Sequence, residues 1–308
     1  MNSKLGVLGL LLCVGLTLSC QGNSAESERA GEVPRILAET DNWLITSEIT
    51  GRTYEISVAF PRGYDVADTL YPVLYTVDAN GQFGIVVETA RALAWEGNPE
   101  PLVVGIGYPV GRGWNALSPR AVDLTPTADQ ETVDRFREEY PEFPAMEGSG
   151  GAPGFLRFLL EELIPRIEHD YKASSDGRAV YGHSFGGLFA IYAMLEGGGA
   201  FHRIIAGSPS LWWDHRVVLD LEEQYTATHD ALGARVFVSV GELEEPEGDE
   251  DLAEYAMVAN AREFHGLLQT RQYEGLSLQF HIFEDETHVS VIPATISRGL
   301  RFVYGSQP

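Results

Sequence analysis

Residues 178–191 decide how this chain folds, and they read Arg178-Ala179-Val180-Tyr181-Gly182-His183-Ser184-Phe185-Gly186-Gly187-Leu188-Phe189-Ala190-Ile191. An apolar, β-rich run passes through a Gly-x-Ser-x-Gly motif into a run of helical character. The flanking glycines allow a tight, strained turn at which the serine hydroxyl stands clear of the sheet. The helix that follows brings its N-terminal amides towards a developing oxyanion. The stretch therefore predicts a strand, a sharp turn and a helix, with Ser184 as a catalytic nucleophile.

The rest of the chain alternates between strand and helix patterns. β-rich or continuous apolar runs occupy residues 43–49, 53–60, 72–78, 101–107, 178–182, 203–207, 235–240 and 276–283. Helical spacing appears near residues 84–95, 154–170, 186–196, 216–229, 252–270 and 291–303. Thr50-Gly51-Arg52 suits a hairpin between the first two runs, and Pro165 should kink the second helix. The alternation predicts an α/β fold with a mostly parallel, eight-stranded sheet and helices on both faces.

Residues 108–152 interrupt this alternation with several prolines and glycines and a charged helical piece near 129–140. Because the region follows the fourth strand, we interpret it as a small cap or loop bordering the site, with a surface excursion as the alternative. Within it, an ion pair between Arg120 and Asp123 would hold the cap. Contact of these residues with an anionic substrate is the other interpretation.

His288 is the predicted general base. It lies in Glu284-Asp285-Glu286-Thr287-His288-Val289-Ser290, a loop between the last strand and the last helix. From there an imidazole can reach over the carboxyl edge of the sheet to Ser184. His281, in contrast, lies inside the strand and is interpreted as structural.

The predicted acid follows the strand at 235–240, where Gly241-Glu242-Leu243-Glu244-Glu245-Pro246-Glu247 offers several carboxylates. One of them must accept the Nδ1–H of His288 and fix its tautomer. An offset of three residues past the glycine favours Glu244, with Glu242 as the alternative. The remaining acidic residues are interpreted as a solvated loop and not as a metal site.

The predicted oxyanion hole combines two backbone amides. One belongs to Phe185, the residue after the nucleophile, and the other to the loop Val77-Asp78-Ala79-Asn80-Gly81. Ala79 is the expected second donor, with Asn80 as the alternative.

Several blocks in order along the chain carry a family resemblance: Tyr71-Pro72-Val73-Leu74-Tyr75-Thr76-Val77-Asp78, Val104-Gly105-Ile106-Gly107-Tyr108-Pro109, Asp123-Leu124-Thr125-Pro126, Gly182–Gly187, Ser208-Pro209-Ser210-Leu211-Trp212-Trp213 and His288-Val289-Ser290. They resemble the putative esterase family of α/β-hydrolases, which includes trilactone siderophore esterases and S-formylglutathione hydrolases. The siderophore-esterase branch is the more similar. The resemblance implies an α/β-hydrolase fold and carboxylic-ester hydrolysis by Ser184 with His288. Relatives often have Asp-Gly where this chain has Asp78-Ala79.

Trp212 and Trp213 follow the sixth strand. They are predicted to form an aromatic wall of the substrate pocket, with packing into the core as the alternative.

The N-terminal segment has the pattern of a secretory signal. Residues 1–19 hold a basic Lys4, an apolar run and a small residue before Cys20. Thr17-Leu18-Ser19-Cys20 resembles a lipobox, which predicts acylation of Cys20 and a membrane-anchored lipoprotein, periplasmic or at the cell surface. Plain export and retention of the segment are the alternatives. Residues 20–40 are interpreted as a flexible tether and residues 41–308 as the esterase domain.

Composition excludes several other functions. With 44% hydrophobic residues the chain can build a core, and a formal charge of −24 argues against nucleic acid as a partner. No Cys/His cluster, phosphate loop or dinucleotide fingerprint is present, so no metal or cofactor is expected. The acidic field disfavours the approach of anionic esters.

Together these features predict a serine carboxylic-ester hydrolase that acts through an acyl-enzyme on a small ester, with siderophore-type esters as one candidate. A catalytically silent siderophore- or ligand-binding lipoprotein, and an acyltransferase using the same nucleophile, are the alternatives. The oligomeric state is not predicted.

Overall fold

A computed structural model describes residues 37–111, 116–141 and 146–305. Its eight strands are β1 (Thr40–Thr46), β2 (Thr53–Ala59), β3 (Val73–Thr76), β4 (Leu102–Gly107), β5 (Ala179–His183), β6 (Arg203–Gly207), β7 (Arg235–Gly241) and β8 (Ser277–Phe283). Each of the eight β-rich runs in the sequence corresponds to one strand.

The α-helices are α1 (Ala79–Ala94), α2 (Leu117–Leu124), α3 (Gln130–Glu139), α4 (Ala152–Arg157), α5 (Ile164–Asp170), α6 (Phe185–Glu196), α7 (Trp213–Thr226), α8 (Glu250–Tyr255), α9 (Met257–Arg271) and α10 (Ile292–Tyr304). A π-helical turn, Phe158–Leu163, joins α4 to α5, and a 3₁₀ turn, Glu242–Glu244, follows β7.

The strands form one sheet in the order β1-β2-β4-β3-β5-β6-β7-β8. β1 and β2 are antiparallel and joined as a hairpin, in which Thr46 pairs with Thr53, and β2 is also antiparallel to β4. The remaining neighbours are parallel. The carboxyl ends of β3, β5, β6, β7 and β8 therefore lie along one edge, where the loops carrying the predicted site residues begin.

Two hydrophobic cores cover the two faces of the sheet. Alternation along β6 shows the division, since Ile204 and Ala206 belong to one core and Ile205 to the other. The core containing Ile205 is closed by α1 and α10. The opposite core is closed mainly by α4 to α6 and α9. Helices on both faces explain why the central strands β3, β4 and β5 are buried along their whole length.

The kink expected at Pro165 takes the form of a widened turn. Proline has no N–H, and its ring conflicts with the carbonyl four residues earlier. The chain accommodates it at the start of α5, directly after the π-helical turn Phe158–Leu163. The helix pattern at 252–270 is likewise divided, because Ala256 has a positive φ of 43° between α8 and α9.

The esterase domain is expected to start at residue 41, but residues just before it already contact the domain. The Leu37 side chain packs on the core beside α1, and Arg91 donates a hydrogen bond to the Ala38 carbonyl at 2.8 Å. The proposed signal segment, Cys20 and most of the proposed tether lie outside the described residues.

Candidate active site

Ser184 occupies a strained turn between β5 and α6. Its backbone has φ 62° and ψ −121°, a conformation that is unfavourable for a residue with a side chain. The neighbouring glycines are required by close packing. A Cβ atom on Gly182 would lie 2.1 Å from the Gly186 carbonyl oxygen, and one on Gly186 would lie 2.9 Å from the Val77 side chain. This local geometry is the one that the Gly-x-Ser-x-Gly motif predicts.

His288 and Glu244 form a short, direct contact. The Nδ1 atom of His288 lies 2.6 Å from Oε2 of Glu244. Glu244 is buried, whereas the side chain of His288 keeps 42% of its surface exposed. An imidazole with one nitrogen held by a buried carboxylate and a solvent-exposed remainder suits a general base.

The second oxygen of Glu244 is also held. Oε1 accepts hydrogen bonds from the Gly241 amide at 2.6 Å and from the Ser208 hydroxyl at 2.5 Å. Glu242, the alternative acid, lies exposed on the other side of the same turn, where its carboxylate accepts the Asp285 amide at 3.2 Å. Of the two candidates, the structure therefore brings Glu244 to His288.

The hydroxyl of Ser184 lies 3.4 Å from that of Ser210. Among the described side chains, no hydrogen bond joins Ser184 to His288, and hydrogen bonds between catalytic groups are often long in the absence of a bound substrate. His288 packs instead against the ring of His183, with 4.6 Å between ring centroids. Burial, and then the neighbouring His288 and Arg120, lower the pKa of His183 well below its usual value, so this ring is neutral at neutral pH.

Arg120 connects the two loops that would form the oxyanion hole. Its guanidinium contacts both carboxylate oxygens of Asp78, at 2.6 and 2.8 Å, and donates to the His183 carbonyl at 3.3 Å. It also lies over the Phe185 ring, 5.3 Å from the centroid. The ion pair between Arg120 and Asp78 holds the N-terminus of α1, which starts at Ala79, beside the N-terminus of α6.

The expected ion pair between Arg120 and Asp123 is wrong. Arg120 pairs with Asp78, and Asp123 lies 3.3 Å from Arg52 and accepts the Tyr108 hydroxyl at 3.2 Å. Asp123 is buried, and this burial is the main cause that raises its pKa to about 6. Sequence reasoning missed both true partners because they lie on distant segments of the chain.

The predicted second oxyanion donors differ in their surroundings. Ala79 is the first residue of α1, next to Asp78, whose φ is 60°. The side chain of Asn80 is engaged elsewhere, because its amide group donates to the carbonyls of Tyr108 at 2.7 Å and Gly111 at 2.8 Å. Asn80 thereby ties the start of α1 to the loop after β4.

The two tryptophans have different environments. Trp213 is completely buried, donates to the Thr127 carbonyl at 3.2 Å and packs edge-on against Phe185 at 5.2 Å. Its assignment to a pocket wall is therefore corrected, because an indole without exposed surface belongs to the core. Trp212 is half-buried and lies 4.9 Å from the Tyr255 ring, so it remains a candidate for the wall.

The described parts of residues 108–152 contact α8 near the carboxyl edge of the sheet. Arg135 of α3 makes an ion pair with Glu254 of α8, and the Tyr255 hydroxyl donates to Glu139 at 3.4 Å. With Trp212 beside Tyr255, α3 and α8 stand next to the aromatic cluster around Phe185.

Other features of the described residues do not add to this site. A cavity of about 380 Å³ lies at the opposite, amino edge of the sheet, lined in part by Gly177, Arg203 and Arg235. Both arginines donate to carbonyls at the end of α10. Within residues 37–111, 116–141 and 146–305, no group of three or more His, Cys, Asp or Glu side chains is arranged to hold a metal. No helix in these ranges has the length and apolar character needed to cross a bilayer.

Ser208, Ser210, His183 and Asp78 are site residues whose contacts sequence reasoning did not assign. A signal was present in their positions, because all four lie at or just after the end of a parallel strand. Ser208 directly follows β6 and Ser210 comes two residues later, Asp78 comes two residues after β3, and His183 ends β5.

Comparison with known proteins finds relatives that align over most of this chain. The ferri-bacillibactin esterase BesA of Bacillus subtilis is 33% identical over 270 residues, covering 85% of this chain and 89% of that protein. The siderophore triacetylfusarinine C esterase of Aspergillus fumigatus is 30% identical and covers 84% of this chain and 91% of its own length.

Solved structures extend the similarity to the fold. The BES protein from Bacillus cereus superposes with a TM-score of 0.73 at 29% identity, covering 88% of this chain and 97% of that one. The siderophore hydrolase EstA from Aspergillus nidulans gives 0.74 at 27% identity, covering 86% and 94%. The model of the family described as "Putative esterase" matches residues 47–289. On the sheet order, the turn at Ser184 and this match, the chain belongs to the putative esterase family of α/β-hydrolases.

Proposed function

We propose that this protein is a serine esterase in which Ser184, His288 and Glu244 form the catalytic triad. The contact of 2.6 Å between His288 and buried Glu244 is the observation that supports it most strongly. A carboxylate in this position holds the imidazole in one tautomer and stabilises the imidazolium formed during the reaction.

In this mechanism Ser184 attacks the acyl carbon while His288 takes the hydroxyl proton and then gives it to the leaving alcohol. The backbone amides of Phe185 and Ala79, the first residues of α6 and α1, stabilise the tetrahedral oxyanion. Water activated by His288 then releases the acid from the acyl-enzyme. Ser184 returns to its starting state.

A siderophore-type ester is the proposed substrate class. The support comes from the relatives named as esterases of ferri-bacillibactin and triacetylfusarinine C, which align over most of this chain. Trp212, which remains partly exposed, would contact the substrate at the wall of the pocket.

Substitution of the nucleophile tests the reaction. Ser184→Ala should abolish hydrolysis of a short p-nitrophenyl ester and labelling by a fluorophosphonate probe. Ser57→Ala, a serine of β2 that bonds only Asn42, is the matched control and should keep full activity. Esterase activity retained in Ser184→Ala would rule out the mechanism. A panel of simple esters, cyclic trilactones and hydroxamate-type siderophore esters then identifies the substrate class.

We also propose that the protein is exported and anchored through an acylated Cys20, with residues 1–19 removed. The support is the signal-like sequence before Cys20 and the resemblance of residues 17–20 to a lipobox. Cys20→Ala should release the protein from the membrane fraction without loss of specific activity. Membrane association that is unchanged in this variant would contradict the anchor.

A further inference from the structure

Ser208 contacts the proposed triad at Glu244, through the carboxylate oxygen that does not face His288. It follows β6 directly, is completely buried, and its hydroxyl donates to Oε1 of Glu244 at 2.5 Å. Oε2 of the same carboxylate faces His288. The Ser208 hydroxyl is therefore bonded to the acid of the triad and is linked to His288 through that carboxylate.

The chain adopts an unfavourable backbone conformation to place this hydroxyl. Ser208 has a φ of 38°, in the region that favours glycine. Its amide donates to the Ser239 carbonyl of β7 at 2.7 Å, which holds the turn against the strand that leads to Glu244. A strained, buried serine whose side chain ends on a catalytic carboxylate points to a functional constraint on this position.

The two donors on Oε1 restrict the carboxylate of Glu244. A glutamate side chain has three rotatable bonds, and its terminal torsion is soft. The Gly241 amide and the Ser208 hydroxyl approach the same oxygen, so rotation about that torsion would break both hydrogen bonds. With Oε1 held, Oε2 stays aligned with Nδ1 of His288.

We propose that Ser208 is a positioning residue of the esterase, which acts through Glu244 to orient His288. This inference rests on the proposed function, since it assigns Ser208 a part in the triad proposed above. It explains why a non-glycine residue occupies the left-handed turn after β6.

A double-mutant cycle tests the proposal by steady-state hydrolysis of a short p-nitrophenyl ester. Ser208→Ala should lower kcat about tenfold with KM unchanged, the effect of one lost hydrogen bond to a charged acceptor. In the Glu244→Gln background the same substitution should have no further effect, because the residue through which it acts has been removed. Losses that multiply in the double variant, or a change confined to KM, would overturn the proposal.

Two further variants separate the hydroxyl from the backbone. Ser208→Gly removes the same hydroxyl but relieves the strain at φ 38°, so it should lose as much kcat as Ser208→Ala while folding at least as well. Ser239→Ala is the matched control, since Ser239 is also buried but its hydroxyl lies 2.8 Å from that of Thr295, away from the triad. Wild-type kcat in Ser208→Gly would overturn the proposal.

A readout independent of turnover is the downfield proton resonance of the His288 Nδ1–H, assigned by its loss in Glu244→Gln. It should move upfield in Ser208→Ala and stay in place in Ser239→Ala. If Ser184→Ala abolishes hydrolysis but Ser208→Ala behaves as wild type, only this inference fails. If the wild-type protein hydrolyses no ester, both proposals fail together.

Discussion

Two glutamates in one short turn illustrate how the site is built at the scale of single residues. Glu242 and Glu244 begin and end a 3₁₀ turn, in which successive side chains point about 120° apart. One carboxylate is consequently exposed and the other buried against His288. The sequence places both at the correct strand end and only its spacing favours Glu244, because the difference in burial arises from the turn and from contacts such as that with Ser208, which follows β6.

This difference predicts unequal effects of two matched substitutions. Glu244→Gln should lower kcat on the order of 10³-fold, because an amide cannot stabilise the imidazolium and favours the wrong tautomer of His288. Glu242→Gln removes an exposed carboxylate that accepts only the Asp285 amide, and should change kcat less than about twofold. Steady-state kinetics of the two variants provides the measurement. A larger loss in Glu242→Gln would reassign the acid of the triad.

At the scale of elements, Asp123 of α2 joins three parts of the domain. It pairs with Arg52 at the end of the hairpin turn and with Tyr108 after β4. Burial raises the pKa of its carboxyl from 3.8 to about 6 in the folded protein. Between those values the folded state binds more protons than the unfolded state, so the contribution of Asp123 to the free energy of unfolding falls as the pH rises.

Asp123→Asn removes this titration. The stability of the wild type relative to the variant should therefore decrease between about pH 4 and pH 7, by up to about 3 kcal/mol for a shift of this size. Urea denaturation at several pH values measures the difference. Asp134→Asn, which replaces an exposed aspartate of α3, is the control for the same substitution outside the core. A wild-type advantage that grows with pH would contradict the buried, raised carboxyl.

The elements also show what a sequence can predict. All eight strands and the helices α6 and α10 follow from periodicity, since each has a continuous apolar run or one buried face. The π-helical turn before Pro165 is a tertiary compromise that periodicity does not contain. α2 is short and includes Pro119, so its helicity depends on packing against α4 and α6, beyond the reach of a local pattern.

At the scale of the whole molecule, no disulfide stabilises the described domain. The two cysteines, Cys13 and Cys20, both precede the described domain, so residues 37–305 contain none. The two hydrophobic cores on either side of the sheet must therefore offset the conformational entropy of folding without a cross-link. The cysteine content of the sequence predicts the absence of a cross-link, whereas the division into two cores follows only from the strand order.

The net charge of the whole molecule predicts how readily charged substrates approach the site. The formal net charge is −24, and part of it lies beside the site, on the exposed Glu242 and Glu247 of the segment that follows β7. Arg120, whose guanidinium joins the two site loops, is already paired with Asp78. An anionic ester therefore approaches a field of its own sign, which salt screens within a Debye length of about 10 Å at 0.1 M.

We expect kcat/KM for an anionic ester to rise roughly three- to tenfold between about 0.01 and 0.3 M salt, because screening removes the repulsion during encounter. A neutral ester with the same acyl group should change less than about twofold, which separates electrostatic repulsion from any effect of salt on the fold. The variant Glu242→Gln/Glu247→Gln should reduce the salt dependence for the anionic ester, since it removes two of the exposed negative charges from the segment that carries Glu244. A kcat/KM for the anionic ester that falls with added salt would show instead that local positive charge outweighs the acidic surface.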